Sequence, residues 1–99
     1  MEKIYTSQEL QAILAPIFAA YGVRRAVLFG SCAKGTATDR SDVDILVDSG
    51  LHGLAFFGLL EDVSSALDRP VDLIDTAQVT PDSEIDREIQ KSGVRIFGA

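Results

Sequence analysis

The sequence predicts a small α/β fold in which one layer of β-sheet is covered by helices. Three observations predict it: apolar residues recur at helical spacing in several segments, short apolar strand-like runs lie between them, and glycine, proline or small polar residues separate the two. The elements follow the order helix, strand, loop, strand, helix, strand, helix and short strand, which favours helices packed on a common sheet. A length of 99 residues is that of one domain, residues 1–99.

The first helix is predicted from a capping box followed by an apolar series. Thr6 and Glu9 occupy the box positions, and Pro16 is expected to kink the helix or make it restart. Gly22 is the expected left-handed cap, after which residues 24–29 form a buried strand. The apolar residues at spacings of three and four are Leu10, Ile13, Leu14, Ile17 and Phe18.

The middle of the chain is predicted to form two strands around a helix. In the strand 42–48, alternation places the β-branched residues on one face and Asp42 and Asp44 on the other. Residues 54–67 have helical spacing, and after a proline a short apolar run predicts a strand over 71–74.

The C-terminal part is predicted to form a helix and a last strand. Thr80 is a favourable cap with Pro81 at the first helical position, so the helix should run from there to about residue 92. Residues 94–97 (VRIF) then form a short strand.

Charge and composition exclude several classes of function. Fifteen acidic against nine basic residues give a net charge of −6, the wrong sign for holding nucleic acid over a broad surface. The longest apolar stretch, residues 51–60, is far shorter than the ~20 residues of a membrane span. The N-terminus lacks a signal-peptide pattern, and the single cysteine, Cys32, cannot form an internal disulfide. We therefore expect a cytoplasmic protein without a membrane segment.

The segment that follows the first strand contains residues suited to phosphate binding. Gly30 and Ser31 lie between a strand and a possible helical turn, so their backbone N–H groups and the serine hydroxyl can hold a phosphate. Gly35 is expected to allow a similarly close backbone approach. Lys34 and Arg40 are candidate phosphate contacts, with a solvated role as the alternative.

Carboxylates on one strand face indicate a cation site. The Cα atoms of Asp42 and Asp44 should lie about 6.6 Å apart, and carboxylates this close repel each other unless a cation lies between them. Mg²⁺ is bound by one or two carboxylates together with substrate phosphates. Asp72 lies in the next apolar strand and is out of pattern unless its face is a site, with Asp75 as the alternative. Together these parts suit transfer of a nucleotidyl group from a nucleoside triphosphate to a hydroxyl, with Asp72 accepting the proton.

The same residues give the chain a resemblance to the minimal nucleotidyltransferase (MNT) family of the DNA polymerase β-like superfamily. GSCAKG at residues 30–35 and SDVDILV at residues 41–47 are similar to the family's GSxAxG and SDxDLxV signature, with YGVRRAVLF before them and VDLI after them. The resemblance implies the polymerase β-like fold with a small mixed sheet. It also implies Gly30 and Ser31 at the triphosphate of ATP or another nucleoside triphosphate. The carboxylates that it implies as ligands of two Mg²⁺ ions are Asp42, Asp44 and Asp72.

The resemblance further implies a biological role. Small stand-alone members of the family are commonly encoded beside a HEPN-domain toxin and act as its antitoxin, and some transfer AMP from ATP to a tyrosine of that partner. The resemblance therefore predicts an adenylyltransferase that forms a hetero-oligomer with a HEPN toxin. Two alternatives stay open: an antitoxin that neutralises its partner by binding alone, and a nucleotidyltransferase acting on a small hydroxylated molecule.

Overall fold

The computed structural model describes residues 5–38 and 42–98, and its elements follow the expected order. Within these residues, no helix combines the length and the apolar character needed to cross a membrane. The elements are α1 Ser7–Ala20, β1 Arg25–Phe29, α2 Gly30–Lys34, β2 Val43–Asp48, α3 Leu54–Leu67, β3 Val71–Asp75, a 3₁₀ turn Thr76–Gln78, α4 Glu84–Ser92 and β4 Val94–Gly98.

The strands form one mixed sheet, which confirms the expected fold class. The strand order is β3-β2-β1-β4, with β1 antiparallel to both β2 and β4. β2 and β3 are parallel, and α3 makes the crossover between them. The start of β2 therefore has the start of β3 on one side and the end of β1 on the other.

The main hydrophobic core lies between one face of the sheet and the helices α1 and α3. The rings of Phe18 in α1 and Phe97 in β4 pack with centroids 5.5 Å apart. On the opposite face, Phe29 and Leu46 are also buried, and α4 packs against β1 there. The side chains buried in the main core include Leu10, Leu14, Phe18, Ala26, Leu28, Val43, Ile45, Val47, Leu59, Val63, Leu67, Leu73 and Ile96.

The helix ends show which local signals determine structure. The capping box of α1 is confirmed, because the Glu9 N–H donates to Thr6 Oγ1 over 3.1 Å and the Thr6 N–H donates to Glu9 Oε1 over 3.0 Å. α1 then runs through Pro16 as one helix. The predicted start of α4 after Thr80 is wrong: Asp82 has a left-handed backbone (φ 63°), which interrupts any helix begun there. The helix begins at Glu84, and Ser83 provides the cap.

Candidate active site

Three strand ends bring the predicted carboxylates together at one edge of the sheet. Asp44 pairs in register with Phe29, the last residue of β1, and with Asp72 in β3. Because neighbouring strands lie about 4.8 Å apart, the Asp44 and Asp72 Cα atoms are separated by about that distance. Asp42 directly precedes β2 and is exposed. Asp44 thus lies between the end of β1 and Asp72, on the sheet face opposite the main core.

The backbone at Gly30 lies directly against the carboxylate of Asp44. A Cβ atom at this position would overlap Asp44 Oδ2, and the backbone has φ 73°, so glycine is required for two independent reasons. Gly30 begins α2, and no side chain of the described residues caps its first turn. Ser31, in the same turn, is half-buried. The predicted phosphate-binding backbone and the predicted cation-binding carboxylate are therefore neighbours.

Gly35 ends α2 with a left-handed backbone (φ 75°), a conformation that favours glycine. A Cβ atom there would meet no atom of the described residues within 4 Å. The close approach to a phosphate that the sequence predicts for Gly35 stays a prediction.

The electrostatics of this edge disfavour the ionised form of Asp44. Burial, together with the nearby charges of Asp72, Asp42 and Glu88, raises the pKa of Asp44 from 3.8 to about 6. A bound cation would relieve this repulsion. No group of three or more His, Cys, Asp or Glu side chains forms a metal cage within residues 5–38 and 42–98. An open set of hard oxygen donors fits Mg²⁺, whose shell is commonly completed by waters and substrate phosphates.

Lys34, one of the two predicted phosphate contacts, pairs with an acidic residue of α4. Its Nζ lies 3.1 Å from Glu88 Oε1, and both side chains are partly exposed. Sequence reasoning missed Glu88, which acts on both Lys34 and Asp44; the sequence separation hides this contact, and no local motif marks it. The other predicted cation, Arg40, lies outside the described residues.

Asp75, the alternative to Asp72, is a buried structural residue on the core face of β3. It accepts hydrogen bonds from the Ser49 hydroxyl, from the Ser49 N–H (3.2 Å) and from the Ala77 N–H (3.1 Å). Burial alone would raise the pKa of Asp75, but these hydrogen bonds outweigh it and lower the pKa. Of the two aspartates in β3, Asp72 is the one that shares a face with Asp44.

Comparisons with known proteins identify chains that are similar to this one. Residues 13–99 match the family described as Polymerase beta, Nucleotidyltransferase. The chain is 32% identical over 76 residues to "Putative protein adenylyltransferase MJ0435" of Methanocaldococcus jannaschii, and the match covers 74% of this chain and 81% of that protein.

Solved structures show the same fold. A chain of a toxin–antitoxin complex with AMP-PNP matches with a TM-score of 0.77 and 26% identity, over 90% of this chain and 73% of that chain. A chain of the complex between a tri-AMPylated Shewanella oneidensis HEPN toxin and an MNT antitoxin matches with a TM-score of 0.71 and 22% identity, over 95% of this chain and 74% of that chain. At that identity the second likeness concerns the fold alone.

Proposed function

The chain belongs to the polymerase β nucleotidyltransferase family, and from this premise we propose that it transfers AMP from ATP to a tyrosine hydroxyl of a HEPN toxin, whose antitoxin it is. The observation that carries the proposal is the contact between the Gly30 backbone and Asp44, with Asp72 in register beside it. The adenylyltransferase name of the M. jannaschii relative and the ATP analogue in the matching toxin–antitoxin complex support AMP as the transferred group.

Each residue of the edge has a role in this proposal. Asp42, Asp44 and Asp72 would hold two Mg²⁺ ions, which when bound neutralise phosphate charge and polarise the phosphoryl oxygens. The backbone N–H groups at Gly30 and Ser31 hold the triphosphate. Lys34 exchanges Glu88 for a phosphate oxygen when the triphosphate binds, and Arg40 adds a second cation. These two contacts are needed because the protein as a whole is acidic.

The transfer step is an in-line displacement at the α-phosphorus of ATP. The acceptor oxygen forms a bond to that phosphorus, the bond to the bridging oxygen breaks, and pyrophosphate leaves with the electron pair. Asp72 takes the proton of the acceptor hydroxyl. We place this reaction in the cytoplasm, in a hetero-oligomer with the toxin, where the lone Cys32 stays reduced.

The test compares a carboxylate variant with a matched control. The protein is purified with the toxin that accompanies it from its host and incubated with Mg²⁺ and ATP labelled on the α- or the γ-phosphate. We expect label in the toxin from the α-position only. The double variant Asp42→Asn, Asp44→Asn should lose about 10³-fold in rate, since metal-assisted charge stabilisation contributes several kcal/mol.

The control is Asp48→Asn, in the same strand but at its other end. Asp48 forms a partly exposed ion pair with Arg24 (2.8 Å), so its loss should leave transfer unchanged. Undiminished transfer by the double variant would contradict the metal assignment. Toxin inhibition without label, surviving in the double variant, would favour an antitoxin that acts by binding alone.

A further inference from the structure

A groove lies between β3 and the start of α4, on the same sheet face as the carboxylates. Its volume is about 410 Å³, within the usual range of binding pockets. The side chains of Ile74, Val79 and Ile85 form its apolar walls, and Thr80, Ser83 and Glu84 add polar groups. We call it the β3–α4 groove. Ile85 is 45% exposed, so its side chain is accessible to a ligand in the groove.

The β3–α4 groove lies near the catalytic edge, although neither Asp44 nor Asp72 lines it. Ile74 follows Asp72 by two residues in β3, so both side chains lie on one face and their Cα atoms are about 6.6 Å apart. β3 is also the last strand in the sheet order, beyond β2 and β1. The groove wall at Ile74 therefore lies within the reach of one tyrosine side chain from Asp72.

An in-line displacement requires the acceptor hydroxyl and the leaving pyrophosphate to lie on opposite sides of the α-phosphorus. The backbone at Gly30, at the end of β1, takes the phosphates that leave, and Asp44 in β2 lies in the middle. The acceptor hydroxyl must therefore enter over β3, where Asp72 and the β3–α4 groove lie.

Charge indicates the chemistry of the acceptor segment. Residues 82–86 contain Asp82, Glu84 and Asp86, and the basic residue that follows them, Arg87, lines a different cavity. Glu84 lines the groove, and Asp82 lies beside it in the chain and is exposed. An acidic rim around apolar walls complements an aromatic side chain whose neighbours are basic.

We propose that the β3–α4 groove is the acceptor subsite, which holds the modified tyrosine of the protein partner within a segment that carries lysine or arginine beside it. This inference rests on the proposed function and specifies where and by which residues the acceptor is bound. The tyrosine ring packs on Ile74 and Ile85, its hydroxyl points to Asp72, and Glu84 pairs with the basic neighbour.

The test separates acceptor binding from nucleotide binding. Transfer of α-labelled AMP is measured for Ile85→Ala while either the co-purified toxin or ATP is varied, with Leu54→Ala as the control, since Leu54 is an 88% exposed apolar residue outside the groove. We expect the KM for toxin to rise about tenfold in Ile85→Ala alone, with the KM for ATP and the Tm unchanged. An unchanged KM for toxin, or an equal rise in Leu54→Ala, would overturn the subsite.

Synthetic peptides independently test the proposed pairing of Glu84 with a basic neighbour of the tyrosine. Tyrosine peptides with lysine neighbours should be modified at least tenfold faster than peptides with glutamate neighbours, and Glu84→Gln should reduce that ratio. An equal rate for both peptides contradicts the acidic rim. A rise in the KM for ATP in Ile85→Ala would assign the groove to the nucleoside and leave the proposed function intact. Absence of AMP transfer by the wild-type complex would overturn both.

Discussion

Replacement of Gly30 by alanine tests the contact on which the active-site geometry depends. The added Cβ would overlap Asp44 Oδ2 and lie 3.2 Å from Asp44 Cγ. The backbone at φ 73° adds strain of about 1–2 kcal/mol for a residue with a Cβ. For a chain of this length that strain lowers the Tm by roughly 4–16 °C. Asp44 must move as well, and a displacement of about 1 Å in a reacting constellation costs about 10²-fold in rate.

Gly22→Ala separates the strain from the contact. Gly22 has nearly the same backbone (φ 72°), but an added Cβ would meet no atom of residues 5–38 and 42–98 within 4 Å. Both variants should therefore lose the stability that the strained backbone costs, Gly30→Ala at least as much as Gly22→Ala, while only Gly30→Ala should lose AMP transfer, measured at a temperature where both are folded. If Gly30→Ala retains transfer equal to Gly22→Ala, the backbone at Gly30 does not set the position of Asp44 and the reasoning is refuted.

Two further variants concern the aspartates of the sheet. Because the folded-state pKa of Asp44 is raised from 3.8 to about 6, its ionisation destabilises the fold as the pH rises through that interval. Asp44→Asn should raise the Tm in EDTA at pH 7.5 but not at pH 4, and an equal gain at both would contradict this. Asp75→Ala removes a buried acceptor of the Ser49 and Ala77 N–H groups, worth roughly 1.5–3 kcal/mol, so its Tm should fall by roughly 6–24 °C. Transfer by folded Asp75→Ala should match the wild type, and loss of transfer at an unchanged Tm would reassign Asp75 to the site.

Local patterns were sufficient for most elements of the fold. The capping box at Thr6 and Glu9 and the alternation in β2 depend on residues a few positions apart, so the sequence displays them directly. The start of α4 was mispredicted because Thr80 and Pro81 are a favourable helix start by themselves. The left-handed conformation of Asp82 overrides that local preference.

The sequence provides the candidate residues of the site but little of their arrangement. Asp72 and Asp75 are equally acidic in the sequence, and the parallel register of β3 with β2 distinguishes them, since it aligns Asp72 with Asp44. The pairing of Lys34 with Glu88 joins α2 to α4, and a contact across that sequence distance has no local signature. Charge type is visible in a sequence, whereas the partner of a charge depends on how the helices pack.

The mixed topology of the sheet has a consequence for the order in which the site forms. Asp42, Asp44 and Gly30 belong to neighbouring segments that come together when the antiparallel β1–β2 pair closes. Asp72 reaches them only after α3 has packed and the parallel β2–β3 pair has formed, which requires closure of a longer loop. A partly folded chain can therefore carry Asp42, Asp44 and the Gly30 backbone and still lack Asp72, the proposed proton acceptor. The site is thus complete only when the non-local β2–β3 pair has formed, and transfer activity reports the completion of folding.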